Sequence, residues 1–203
     1  MFRAVKALFA LTLLLLSSNV FASHLSDAKT MYRQLNLSHE VSYDKFKKAY
    51  NHFKTHRGDS SVFTLIDYSK PSSQKRFWVF DATKRTTLFS SYVSHGKNSG
   101  NLYAKTFSNR VNSHQTSIGV FRAGETYYGK HGYSLRLDGL SKGINDNARK
   151  RAIVIHGAAY AHPKVISKTG QLGRSWGCPA LPSYLSKNVI NTIKDGTYIY
   201  AFG

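Results

Sequence analysis

The sequence predicts a mainly β domain with peripheral helices, entered through an N-terminal helical prelude. From Ser61 onward, short segments rich in Val, Ile, Phe, Tyr and Thr alternate with Gly, Asn, Ser and Asp, the texture of strands joined by turns. Ahead of them, Phe46, Ala49, Tyr50 and Phe53 recur at the spacing of one helix face. No internal repeat, low-complexity tract or long linker interrupts the chain, so one main domain is expected.

Residues 1–22 read as a secretory signal peptide. Arg3 and Lys6 flank the start of an apolar stretch from Ala7 to Leu16, and Val20-Phe21-Ala22 supplies a small-residue cleavage site. The stretch is shorter than the roughly 20 apolar residues that span a bilayer, and no later segment reaches that length. The expected location is therefore the periplasm or cell envelope, as a secreted chain without a transmembrane segment after cleavage.

Residues 23–60 form the helical prelude, with Ser26 and Ser42 as N-caps and Gly58 as the stop, and it is expected to pack on the main domain. Residues 61–203 form that domain. Val62 to Tyr68, Phe77 to Phe80, Thr86 to Val93, Ser117 to Phe121, Tyr133 to Leu137 and Ala152 to His156 read as strands, and Asp81-Ala82-Thr83-Lys84 as a tight turn. Pro182-Ser183 starts a helix that runs to about Ile193, Asp195-Gly196 turns the chain, and Thr197 to Phe202 is a last strand. The segment from Gly96 to Gln115, rich in Asn, Ser, Gly and Lys, is the least regular, and a loop of that length is expected to border a substrate groove.

A formal charge of +19, from 29 Lys and Arg against 10 Asp and Glu, makes the surface basic and favours an anionic partner. The basic pairs Lys75-Arg76 and Lys84-Arg85 and the run Arg149-Lys150-Arg151 are short and scattered, with no zinc-finger pattern, long basic helix or aromatic RNA-binding signature. Nucleic acid is not the expected partner. For an exported chain the nearest anionic matrix is the cell wall.

The single cysteine, Cys178, has no intrachain disulfide partner, so in an oxidising compartment it is either buried and inert or kept free because it reacts. A thiol becomes a useful nucleophile beside a cation or a base. Three His-Gly pairs offer a base: His95-Gly96, His131-Gly132 and His156-Gly157. His156 is the preferred base, because it ends the apolar run Ala152-Ile153-Val154-Ile155 of a buried strand, with Gly157 turning the chain and leaving room for a ligand. His95 and His131 are turn histidines or substrate-side contacts.

Ser175-Trp176-Gly177-Cys178 offers successive amides at Gly177 and Cys178 that can point at a developing oxyanion. Arg174 either lowers the thiol pKa, binds a substrate carboxylate, or is a plain surface arginine; Trp176 is either a groove wall or core. His156, His162 and Cys178 are conceivable zinc ligands, yet no His-Glu-x-x-His helix or paired cysteines accompany them, so no metal or other cofactor is expected. A Cys-x-x-Cys redox motif is absent from the sequence.

Ile155-His156-Gly157 followed by Ser175-Trp176-Gly177-Cys178 resembles the His-Gly and Ser-x-Gly-Cys signature of the YkuD-like L,D-transpeptidase catalytic domain. Pro179-Ala180-Leu181 after the cysteine is closer still to the branch called murein L,D-transpeptidase catalytic domain family proteins. Phe107-Ser108-Asn109 through Ser117-Ile118-Gly119-Val120-Phe121, Gly129 to Leu135 and Gly143 to Ala148 are similar to that branch as well, and the resemblance covers roughly Val62 to Ala201. It implies a curved β-sheet sandwich with Cys178 in a covered groove, and peptidoglycan stem peptides as substrates. It implies a Cys178 thioester acyl-enzyme, with His156 as general acid and base. An acceptor amine then gives a transpeptidase and water an L,D-carboxypeptidase. One departure stands out: the wider family usually carries arginine where this chain has Ala180, so Arg174 or another basic residue must do that electrostatic work.

Two other classes compete. A non-catalytic, basic wall-binding module would leave Cys178 buried and inert. A papain-like peptidase would place cysteine early and histidine late, the reverse of the order here.

Overall fold

The structure, a computed structural model, describes residues 27–56 and 59–203. The signal peptide, Ser26 as a cap and Gly58 as a stop lie outside them. Residues 27–34 are helical, and a 3₁₀ turn at Leu37–His39 leads into helix α1, Tyr43–His56. The hydroxyl of Ser42 accepts from the Lys45 amide at 3.4 Å, which caps the helix where its first amides have no partner.

Eight strands follow: β1 Val62–Asp67, β2 Phe77–Asp81, β3 Thr86–Ser91, β4 Gly119–Gly129, β5 Gly132–Gly139, β6 Val154–Ala158, β7 Ala180–Pro182 and β8 Tyr198–Phe202. They form one sheet in the order β3-β2-β1-β8-β4-β5-β6-β7. β1 runs parallel to β8 and β6 parallel to β7, and the other neighbours are antiparallel. Past β3 the chain returns to the far edge, where Ser94 bridges Ala180 and Gly96 bridges Ser175. The sheet therefore curls until its two edges nearly meet.

β1 and β2 are buried on both faces, and their alternation sorts the side chains. Ile66, Phe77 and Val79 point into the main core, with Phe121, Leu135, Leu137, Ile155 and Ile199 from the rest of the sheet. Val189, Ile190 and Ile193 close that core from helix α3, Ser183–Ile193. Phe63, Leu65, Trp78 and Phe80 point the other way and meet Phe46, Ala49, Tyr50 and Phe53 of α1. Phe63 stacks on Phe53 with ring centroids 4.9 Å apart, and each such ring buried contributes about 1.5–3 kcal/mol. The helical face read from the sequence is thus a lid on the outer face of the sheet.

The turn at Asp81 has a local cause: its Oδ1 accepts from the amides of Thr83 at 2.9 Å and Lys84 at 3.0 Å. Four features depart from the sequence reading. The strand read at Ala152 to His156 spans Val154–Ala158, since Ala152 is left-handed ahead of it and Gly157 stays in the strand, paired with Leu181, rather than turning the chain. The strand expected at Ser117 starts at Gly119 and runs on to Gly129, because it forms a hairpin with β5 closed by the two residues Lys130 and His131. Helix α2, Pro163–Thr169, and the three-residue strand β7 went unread. The helix carried its own signals, with Pro163 in its first turn and Gly170 left-handed at its end.

Candidate active site

β6 and β7 lie side by side, with His156 opposite Ala180, so Cys178 sits at the entry to β7 beside the strand that carries His156. Both residues line one pocket of about 300 Å³, together with Lys130, His131, Tyr160, Arg174, Ser175 and Trp176. The distant stretches of sequence meet because the parallel β6–β7 pair aligns them and the β4–β5 hairpin brings its tip across the opening.

His156 is buried, and its Nδ1 lies 3.0 Å from the carbonyl oxygen of Gly157. A carbonyl only accepts, so Nδ1 carries the proton and Nε2 keeps the lone pair. Its ring stacks on that of His131, centroids 4.2 Å apart. Burial holds its pKa below the ordinary histidine value, opposed by the Gly157 hydrogen bond and reinforced by His131.

Cys178 is partly buried, and its thiol faces the Ala152 carbonyl at 3.6 Å. Burial pushes the thiol pKa up, while the backbone of Val154 and the charge of Arg151 pull it down. Both shifts disfavour the charged form of the group concerned.

The other sequence candidates divide. Gly177 is left-handed, at φ 122°, and its amide donates to Ser175 Oγ at 3.1 Å, so that donor is already engaged. Ser175 Oγ in turn donates to the Cys178 carbonyl at 2.7 Å, which makes it a brace of the loop that carries the cysteine. Gly157 leaves no room for a ligand: a Cβ there would lie 2.5 Å from Ser186 Oγ, so glycine is required for α3 to pack. Arg174 lines the pocket but spends one guanidinium nitrogen on Asn101 Oδ1 at 2.6 Å. Trp176 is 68% exposed, stacked on His114 at 4.6 Å with Lys97 over its ring, and is a groove wall.

His95 is not in the pocket. It is fully buried, its Nδ1 accepting from Arg76 at 2.7 Å and its Nε2 reaching the Gly100 carbonyl at 3.2 Å. Buried Arg76 also donates to the carbonyls of Val93 and Lys70, so the pair ties β2 to the chain after β3. Burial, then the Arg76 charge, pushes the His95 pKa down from 6.5 to about 4. The unfolded chain takes up this proton near pH 6.5 and the folded chain does not, so stability is full above that pH and falls as pH drops toward about 4. The loss from this group is roughly 3 kcal/mol. His95→Asn, which offers Arg76 an acceptor that does not titrate, is expected to flatten that decline in urea unfolding followed from neutral to acid pH. An unchanged slope would remove His95 as its source.

Lys130, Tyr160 and Arg151 were not singled out by the sequence reading. Burial, and then the sulfur of Cys178, pushes Tyr160 up to about 12, which keeps its hydroxyl a donor. The irregular loop borders the site: Val111, Asn112 and His114 line a second hollow of about 290 Å³ with Lys150, Arg151, Ala152 and Trp176.

A curled β-sheet domain whose pocket is lined by a histidine of one strand and a cysteine just ahead of the next is the class that fold and site define. Residues 37–202 match the model of the L,D-transpeptidase catalytic domain, and the chain belongs to that family. The match takes in helix α1 as well as the sheet. Similar solved structures include an L,D-transpeptidase from Mycobacterium smegmatis, at 15% identity over 71% of this chain and 59% of that one, TM-score 0.44. L,D-transpeptidase 1 of Mycobacterium tuberculosis shares 15% identity over 70% of this chain and 62% of its own, TM-score 0.41. The Enterococcus faecium L,D-transpeptidase shares 14% over 70% and 50%, TM-score 0.42. The chain thus spans about half to six-tenths of the length of these proteins. No curated protein matches it.

Proposed function

We propose that this protein is an exported, cysteine-dependent L,D-transpeptidase of peptidoglycan stem peptides. The observation that carries the reading is the shared pocket of Cys178 and His156 in a chain of this family. We assign residues 1–22 to a signal peptide, 23–60 to a docked prelude and 61–203 to the catalytic domain.

In the proposed cycle Cys178 attacks the carbonyl that joins the L-centre of a diamino acid to terminal D-alanine. His156 Nε2 takes the thiol proton as the carbon–sulfur bond forms, then gives it to the departing amine as the carbon–nitrogen bond breaks. A thioester remains. An acceptor amine, deprotonated by His156, attacks it, and the sulfur leaves and recovers its proton, giving a 3-3 cross-link. With the Gly177 amide engaged by Ser175, the oxyanion donors proposed are the Cys178 amide and the Tyr160 hydroxyl. Lys130 and Arg174 supply positive charge for the carboxylates of the stem peptide.

Incubating the mature chain with disaccharide-tetrapeptides and reading the products by mass spectrometry tests this. Cross-linked dimers are expected. Tripeptides alone would make the protein an L,D-carboxypeptidase with the same site, and unchanged tetrapeptide would sink the enzymatic reading in favour of a wall-binding module.

A further inference from the structure

We propose that Arg151 is a positioning residue that clasps the 108–117 loop against the backbone just before Cys178 and sets a fixed cation there, so that seating the loop and charging the sulfur's surroundings are one event. The inference rests on Cys178 being the nucleophile.

One guanidinium gathers the loop. Its Nη1 donates to the Ser108 carbonyl and to Ser117 Oγ, and its Nη2 donates to Ser113 Oγ at 3.1 Å and to the Gln115 carbonyl at 2.6 Å. All four acceptors are neutral, so they orient the guanidinium without cancelling its charge, and its fixed fork of donors is what a lysine lacks.

The same side chain reaches the nucleophile's backbone. A Cβ on Gly177 would lie 2.8 Å from the Gln115 carbonyl oxygen and 3.3 Å from Arg151 Nη2. Glycine just before the cysteine is therefore the condition for loop and guanidinium to close against it. Ala152, the next residue along from Arg151, is held left-handed at φ 52° and presents its carbonyl to the Cys178 thiol. Backbone strain in a non-glycine residue persists only where its surroundings over-determine it, and here the clasp and the β6 strand do so.

This clasp also accounts for Ala180. That residue is fully buried, opposite His156 in β7 and bridged to Ser94, where an arginine side chain has no space. The cation set beside the cysteine's loop is instead Arg151, whose Nη2 closes on Gly177. Burial raises the thiol and lowers the arginine, and their mutual attraction offsets part of each shift.

Other charged or titratable groups face this region. Lys130, His131, His156, Tyr160 and Arg174 line the pocket, His114 and Lys150 line the hollow on the loop side, and buried Tyr68 couples to the sulfur from the end of β1. They stay constant across Arg151 variants.

The test is iodoacetamide alkylation of Cys178 as a function of pH, with limited proteolysis of the 108–117 loop, on wild type, Arg151→Met and Arg151→Lys. Alkylation needs no turnover, so its outcome is separate from that of the product assay. Arg151→Met is expected to raise the apparent thiol pKa by about one unit and to slow alkylation at neutral pH about tenfold, with faster loop cleavage. Arg151→Lys, which keeps the charge but loses the fork that fixes it, is expected to speed cleavage and to move the alkylation profile part of the way toward that of Arg151→Met. A folded Arg151→Met with the wild-type alkylation profile would overturn the proposal. If Arg151→Met does not fold, wild-type loop cleavage in Arg151→Lys overturns it instead.

Discussion

Cys178→Ala is expected to lower turnover of disaccharide-tetrapeptides on the order of 10⁶-fold, because without the sulfur no covalent intermediate forms. It is also expected to abolish covalent labelling by a carbapenem, whose strained ring carbonyl acylates a thiol. The fold should survive: Cys178 is only partly buried, and the neighbouring loop is braced by Ser175 through the Gly177 amide and the Cys178 carbonyl. Mass spectrometry of the labelled chain and a thermal melt check both statements. Labelling that persists in the alanine variant would move the nucleophile elsewhere, and a basic module that binds wall sacculi as before the substitution would favour the non-catalytic reading.

His156→Gln is expected to slow the same reaction about 10²- to 10⁴-fold, the usual range for loss of a general acid and base. Glutamine approximates the bulk of the ring and can still donate to the Gly157 carbonyl, so the thermal melt should move little. Because the folded imidazole titrates below 6.5, wild-type activity should persist to lower pH than a free histidine would allow, and this acid limb should vanish in the variant. His131 is the control for the assignment, since its ring stacks on that of His156 at the hairpin tip. A His131→Phe variant that lost as much activity with the same pH limb would transfer the base to His131.

Much of the fold is written in local pattern. Phe46, Ala49, Tyr50 and Phe53 mark a helix face because they recur every three or four residues, and Phe77 to Phe80 marks a buried strand because four apolar residues in succession need cover on both sides. β7 escaped because three residues ending in Pro182 carry no period to detect, and its pairing partner, His156, is more than twenty residues away. α2 was missed although Pro163 and Gly170 bracket it, since its seven residues include no buried position and so present no apolar face.

At the site the same division holds. Gly177 was read as a free amide donor, whereas the fold gives its amide to Ser175; Gly157 was read as room for a ligand, whereas α3 fills that room. Both errors have one cause: a glycine in sequence says that something comes close and never what.

The sequence by itself named the candidate groups: one unpaired thiol, a histidine in an apolar run, and a glycine before the cysteine. Their chemistry is intrinsic to the side chains, so it is legible without a fold. Only the tertiary structure decided that His156 and His131 share the thiol's pocket, that His95 is a core residue bonded to Arg76, and that Arg151 binds the 108–117 loop beside Gly177. Those are questions of distance between residues far apart in the chain, and distance is set by how the sheet curls, which no single segment encodes.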